Sequence, residues 1–313
     1  MPDPDHVSHQ VRPDELPNLR QSLLTANVAF AMPTYGEGIG IAAALEALHH
    51  AKQYVGLADA PILVSDSSPT ADAVDTARNW AESSGADVQI DRSATRRSLK
   101  QALNAIFEIT AADILVVTVA DVVVTPQGLA DLLAPLVGDK PPDVVIGASL
   151  PEGNLRSIAQ RGGAWQTRAV WRAMAALPKS QIRTDGAFWA MSRRFISGYR
   201  FPIEAGLIAD DAELARTLRA GLYHSVSVNS AIAYRLPPGN FRDFRASLVR
   251  SRLANPEHRR FTTEYPAAIA EAISDPLGAL CYAIMRLATR VSTSAGSPIT
   301  ETWQPETSTK RKM

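Results

Sequence analysis

Acidic and hydroxyl side chains stand where three apolar runs stop. Val28-Ala29-Phe30-Ala31-Met32 leads into Pro33-Thr34-Tyr35-Gly36-Glu37. Pro61-Ile62-Leu63-Val64-Ser65 leads into Asp66-Ser67-Ser68-Pro69-Thr70-Ala71-Asp72. Asp113-Ile114-Leu115-Val116-Val117-Thr118-Val119 leads into Ala120-Asp121. Carboxylates in such places can accept hydrogen bonds from a ligand, give hard oxygen donors to a divalent cation, or take a proton from a hydroxyl. Short apolar runs bounded by turn residues read as buried parallel strands. In open α/β sheets, ligands bind beyond the carboxyl ends of those strands. Tyr35, Glu37, Asp66 and Asp121 are therefore expected in one crevice.

The elements that must position them alternate. Helical spacing follows the first strand (Gly38 to Val55) and the second (Thr70 to Ser84). A short strand, Val88 to Ile90, precedes a helix over Ser98 to Thr110. Gln127 to Val137 reads as a helix and Asp143 to Ala148 as a strand. Strand–helix alternation predicts an α/β fold with a doubly wound, mostly parallel sheet and helices on both faces. From Arg156 a long helix runs to Leu177, followed by a strand over Gly186 to Met191, a helix over Asp210 to Ala220 and a strand-like stretch from Leu222 to Tyr234. Phe241 to Leu253 and Tyr265 to Val291 read as helices. Pro2, Pro4, Pro13 and Pro17 argue against helix in residues 1–25, which read as a flexible arm.

Composition narrows the classes. The chain has 313 residues, 46% of them hydrophobic, enough for a sizeable core. Its 32 basic and 32 acidic residues cancel, so no electrostatic case exists for nucleic acid. A single cysteine, Cys281, excludes an internal disulfide and a cysteine metal cluster. The polar N-terminus does not resemble a signal peptide, and no apolar run approaches the roughly 20 residues of a bilayer span. A cytoplasmic protein is the expectation, peripheral at the membrane if the C-terminal helices touch lipid.

In order and spacing, these pieces resemble glycosyltransferase family 2, which has the GT-A fold. The resemblance rests on Met32-Pro33-Thr34-Tyr35-Gly36-Glu37, Val64-Ser65-Asp66-Ser67-Ser68-Pro69-Thr70, Ala102-Leu103-Asn104, Val119-Ala120-Asp121 and Ala209-Asp210-Asp211-Ala212-Glu213-Leu214. It implies an inverting transferase moving a sugar from a nucleotide-diphosphate donor, a UDP-sugar, to an acceptor hydroxyl. By the same resemblance Pro33, Thr34, Tyr35 and Glu37 wrap the base and ribose, Asp66 meets the base, and Asn104, Ala120 and Asp121 line the donor site. Asp121 would hold Mn²⁺ or Mg²⁺, although Val119 stands where the metal motif's first acid is expected. Asp211 would be the general base, with Asp210 beside it. The resemblance divides the chain into a nucleotide-binding half (26–150), an acceptor-side half (151–255), C-terminal helices (256–292) and a tail, 293–313, that reads as disordered.

Each piece also has a plainer use. Asp66 and Asp72 can cap a turn and a helix. Acids such as Asp210 and Asp211 suit a helix start. Arg242, Arg245, Arg250 and Arg252 crowd one helix; Arg245 is the diphosphate candidate among them, and a solvated face is the alternative. Arg161, Trp165, Arg168 and Arg172 form a stripe that reads as a solvated helix face, or as a contact for an anionic acceptor or lipid headgroup. His49 and His50 read as surface residues. Leu277, Leu280, Cys281, Ile284, Ala288 and Val291 make one apolar stripe. Docking on the domain is its first expected use, with a homodimer seam and a membrane interface as alternatives over 275–292. Two other functions compete. Gly36, Gly38 and Gly40 beside a strand, with Asp66 downstream, suggest a dinucleotide-dependent oxidoreductase, but Ile41 replaces the glycine that fingerprint needs. Val119 suggests a non-catalytic GT-A-like partner protein.

Overall fold

The computed structural model describes residues 6–7, 10–151, 155–175, 187–203, 210–246 and 264–294. In chain order the elements are β1 (His6–Val7), α1 (Leu16–Leu23), β2 (Val28–Thr34), α2 (Ile41–Tyr54), β3 (Ile62–Asp66), α3 (Asp72–Ser84), β4 (Val88–Arg92), α4 (Leu99–Ile109), β5 (Ile114–Thr118), β6 (Val122–Val124), α5 (Pro126–Leu133) and β7 (Val144–Pro151). They continue with α6 (Ile158–Ala175), β8 (Phe188–Ser192), α7 (Arg193–Gly198), α8 (Asp210–Arg219), β9 (Ser225–Arg235), α9 (residues 241–246, as far as described), α10 (Glu264–Ser274) and α11 (Pro276–Ser294).

One sheet joins both expected halves, in the order β1-β9-β7-β8-β5-β2-β3-β4, with β6 paired to β9. β2 lies parallel between β3 and β5, and β4 is parallel at the edge. β8 runs antiparallel to both β5 and β7, and β6 is antiparallel to β9. Every residue of β2, β3 and β5 is buried, which is why these strands read as unbroken apolar runs.

Local chemistry fixes the helices. Ser98 and Gln101 form a reciprocal capping box at the start of α4. Thr125 Oγ1 caps α5 by accepting from the Gly128 amide at 2.9 Å and donates to the Ile232 carbonyl at 2.8 Å. A Cβ at Gly128 would lie 2.1 Å from that carbonyl oxygen, so only glycine lets α5 sit this close to β9. One face of the sheet buries Phe30, Met32, Val64 and Val116 against α1, α2, α3 and α5. The other buries Ala31, Leu115, Val117 and Trp189 against α4, α7 and α8.

Several expectations need correction. Residues 16–23 are a helix, α1, whose Leu16, Leu19 and Leu23 enter the core. Pro17 occupies the first turn, where a missing N–H costs nothing. The single helix expected over 265–291 is two, broken before Pro276, with Asp275 Oδ1 accepting from the Gly278 amide at 2.8 Å. The stripe Arg161–Arg172 is no simple solvated face. Arg168 pairs with Glu271 and Asp275 of α10, Arg172 Nε lies 2.7 Å from Glu271 Oε2, and Trp165 is buried against Tyr282. The C-terminal stripe divides. Cys281 docks with Met285 toward α6, where Gly162 lets the Tyr282 backbone approach, while Leu277, Leu280, Ile284 and Ala288 are exposed. Arg250, Arg252 and the tail 295–313 lie outside the described residues, as does the side chain of Val291.

Candidate active site

The sheet order changes direction at β2. β3 and β4 are added on one side of β2, and β5 on the other. Such a switch point opens a crevice at the carboxyl edge. Pairing of β2 with β5 stops at Ala31 and Val117, while pairing with β3 continues to Thr34 and Asp66. Pro33 falls in the stretch that β5 has left, where its missing N–H is harmless. The ends of β5, β2 and β3 thus bring Asp121, Thr34 to Glu37 and Asp66 to one edge, as the sequence predicted.

Two loops are tied together there. Glu37 accepts hydrogen bonds from the Thr34 hydroxyl and the Tyr35 amide. Gly36 and Gly38, on either side, take positive φ values of 76° and 56°, which glycine alone adopts at no cost. Ser68 donates its hydroxyl to Asp66 Oδ1 and accepts from the Gly36 amide at 2.7 Å. The Ser68 amide also reaches Asp66 Oδ1, at 3.2 Å. Asp66 Oδ2 is buried and has no hydrogen-bond partner among the described residues. A buried acceptor left bare costs about 1–3 kcal/mol.

Sequence reading passed over two cations, Arg96 and Lys100, in the segment that follows β4. Arg96 stacks its guanidinium over the Tyr35 ring, 4.5 Å from the centroid. Lys100, in the first turn of α4, is buried and makes no hydrogen bond or ion pair among the described residues. The sequence signal was Arg96-Arg97 and Lys100 around a helix start, between two strand ends. Arg97 itself pairs with Asp91 of β4.

The other expected site residues fall as follows. Asn104 is held by the backbone of a distant segment. Its amide donates to the Phe201 carbonyl at 2.9 Å and its carbonyl accepts from the Phe201 amide at 2.8 Å, so its polar atoms join α4 to the segment after α7. Ala120 is buried, and the turn continues with Asp121, closed by the Val122 amide donating to the Val119 carbonyl at 3.1 Å. Val119 packs against the core, as an apolar side chain there must. Arg245 is half-buried on α9. Asp210 and Asp211 open α8, with their side chains outside the described residues. His49 is half-buried beside Trp80, and burial lowers its pKa.

Three or more His, Cys, Asp or Glu side chains gather nowhere among the described residues. Asp121 offers the hard oxygen that Mg²⁺ or Mn²⁺ takes, but a cation there needs further oxygens from a bound ligand. The dinucleotide reading fails at the first turn. Gly38–Gly40 form a 3-10 turn, and Ile41, where the third glycine would stand, is buried in the core.

Comparison with known proteins agrees with this architecture. No curated protein matches the sequence significantly. A mannosyltransferase from Pyrobaculum calidifontis, solved with GDP-Man and Mn²⁺, superposes with a TM-score of 0.54 at 18% identity, over 88% of this chain and 76% of that one. TarS from S. aureus gives 0.49 at 12% identity, over 88% and 93%. Glucosyl-3-phosphoglycerate synthase from Mycobacterium tuberculosis, solved with Mn²⁺, UDP and phosphoglyceric acid, gives 0.45 at 19% identity, over 76% and 82%. The sequence matches the family described as Glycosyl transferase family 2 over residues 29–198. That match spans more than half of the chain, which therefore belongs to glycosyl transferase family 2 and is a glycosyltransferase of GT-A fold.

Proposed function

We propose that the chain transfers a sugar from a UDP-sugar to an acceptor hydroxyl, with inversion at the anomeric carbon. The observation that carries this is the bare Oδ2 of Asp66 at the carboxyl end of β3. A carboxylate can only accept, so the base must offer an N–H. Oδ1 is already held by Ser68. One free oxygen suits the single ring N–H of uracil better than the two adjacent donors of guanine. Asp66 has no solvent exposure, so the base meets it only when the covering loops part. Tyr35, stacked under Arg96, lies against the base or ribose in this reading.

Lys100 and Arg245 supply positive charge for the diphosphate. Asp121 would hold a divalent cation, which would supply positive charge against that of the leaving diphosphate. Asp211 takes the proton of the acceptor hydroxyl. That oxygen attacks the anomeric carbon from the face opposite the leaving diphosphate, the bond to the diphosphate oxygen breaks, and the diphosphate leaves with the electron pair. No enzyme nucleophile is used, so configuration inverts.

The test is calorimetry of UDP and GDP against the wild type, Asp66→Asn and Asp66→Ala. UDP should bind the wild type more tightly than GDP. Both variants should lose UDP affinity by roughly 5- to 150-fold, the equivalent of about 1–3 kcal/mol. A wild type that prefers GDP, or variants with unchanged UDP affinity, would refute the assignment of the base.

A further inference from the structure

We infer that the outward face of α10 and α11 is a docking surface for an anionic lipid bilayer. Ile269, Ile273, Leu277, Leu280, Ile284 and Leu287 follow one another at intervals of three or four residues. Between 46% and 78% of each is exposed. No exposed residue described on these two helices is charged. The acids that a solvated pair of helices would turn outward, Glu271 and Asp275, are instead drawn inward onto Arg168 and Arg172 of α6. An apolar, uncharged face of this length is unusual on a solvated surface.

Charge selects the occupant. Residues 276–313 carry five basic side chains (Arg286, Arg290, Lys310, Arg311, Lys312) and two acidic ones (Glu301, Glu306), a net of +3. The whole chain is neutral, so residues 1–275 carry −3. An apolar helical face in a segment of net positive charge complements an anionic headgroup layer. A second copy would bring two segments of the same sign together, which opposes a symmetric seam. Arg286 shows the geometry that such an interface uses: it is half-buried, with its guanidinium 5.8 Å from the Tyr282 ring centroid. No helix among the described residues is long and apolar enough to cross a membrane, so the contact lies in the interfacial plane.

The surface belongs to the part of the molecule that α6 joins to the carboxyl end of β7. β7 and β5 both run antiparallel to β8, so that end lies on the same edge as the active site. Docking would hold that edge near the lipid. The inference does not depend on the donor, and its test uses none.

The experiment is flotation of the full chain with vesicles of phosphatidylcholine alone and of phosphatidylcholine with phosphatidylglycerol, with light scattering of the same samples. The wild type should float with the anionic vesicles, less so at high salt, and be monomeric without them. Leu280→Glu with Leu287→Glu alters only exposed positions; it should keep the melting temperature and lose binding at least about tenfold. Neutralising Lys310, Arg311 and Lys312 should weaken binding by up to about fivefold per charge. No vesicle binding at any composition overturns the inference. So does equal binding by the Leu280→Glu, Leu287→Glu variant, or a wild-type dimer that this variant dissociates.

Discussion

Asp66 and Asp143 are both buried aspartates at strand ends, on opposite edges of one sheet. Asp143 precedes β7, and the fold uses its carboxylate fully. Oδ2 accepts from Arg194 Nη1 at 2.8 Å and the His224 amide at 2.9 Å, and Oδ1 from the Ser192 hydroxyl at 3.4 Å. Asp113, before β5, does similar work for the Asn27 amide at 3.1 Å. At the carboxyl edge, Asp66 has one oxygen held by Ser68 and one bare. Asp131 also keeps a bare oxygen, but it lies within α5, and its other oxygen anchors the Val11 amide. Burial alone therefore does not mark a functional acid. The proposed role of Asp66 rests instead on a bare oxygen at the carboxyl edge of the sheet, between two loops tied to each other.

The comparison predicts that carboxyl-edge acids report on binding and rate while amino-edge acids report on stability. The largest effect belongs to the base. Asp211→Asn should lower turnover by about 10²–10⁴-fold, because it keeps the shape and loses the proton acceptor. UDP affinity should not change, and Asp210→Asn should cost less. Turnover and UDP binding of both variants, measured with an acceptor in hand, decide this. A dead Asp210→Asn would move the base by one residue, and near-normal turnover in both would remove the base from this helix.

A paired substitution sharpens the contrast. Asp143→Ala should lower unfolding free energy by roughly 1–3 kcal/mol, by stranding buried donors, and leave UDP affinity alone. Asp66→Ala should do the reverse, with a small stability change from the loss of the Ser68 contacts. Denaturant unfolding and calorimetry on the same preparations separate the two. If Asp143→Ala weakened UDP binding as much as Asp66→Ala, the edges would not divide the work.

A smaller effect is expected at Asp121. Mn²⁺ should raise UDP affinity about tenfold in the wild type, or ~1.4 kcal/mol, and scarcely at all in Asp121→Ala. Because Val119 packs into the core, the protein offers few oxygens of its own. Metal binding without nucleotide should therefore be weak. UDP binding that is equal in Mn²⁺ and in EDTA would exclude a cation at this turn.

How much of this was legible depended on how local the cause was. β2, β3 and β5 were readable because burial on both faces makes each an apolar run, and the residues ending them lie next in sequence. The meeting of those residues at the carboxyl edge followed from that alternation. What escaped was set by distant partners. Asn104 sits in a family-like motif, but its use is decided by the Phe201 backbone, 97 residues on. Arg168 and Arg172 looked solvated because Glu271 and Asp275 are about a hundred residues away. The antiparallel direction of β8 is invisible in a strand buried on both faces. The helix α1 was missed because prolines were counted without their position, and Pro17 falls in a first turn. Lys100 was passed over because only the apolar face of its helix was followed.

The mildest prediction tests a buried charge on a helix packed against the same sheet. Lys52 on α2 has no solvent exposure; its ammonium donates to the Ala60 carbonyl and lies 5.6 Å from the Phe30 ring centroid. Burial lowers its pKa from 10.5 to about 8, against the weaker upward pull of Asp87 and Asp59. Between those two values the unfolded chain holds the proton that the folded chain has released. Stability should therefore rise with pH from about 8 towards 10.5, and the full cost is present below 8. Lys52→Met keeps the length and removes the charge, while giving up the hydrogen bond to Ala60. The net gain at pH 7 should be about 1 kcal/mol, shrinking as pH rises through this window. Urea unfolding of both proteins at pH 7 and pH 9.5 measures it. A difference that stays constant with pH would mean that Lys52 titrates alike in the folded and unfolded chains, and that burial costs its charge nothing.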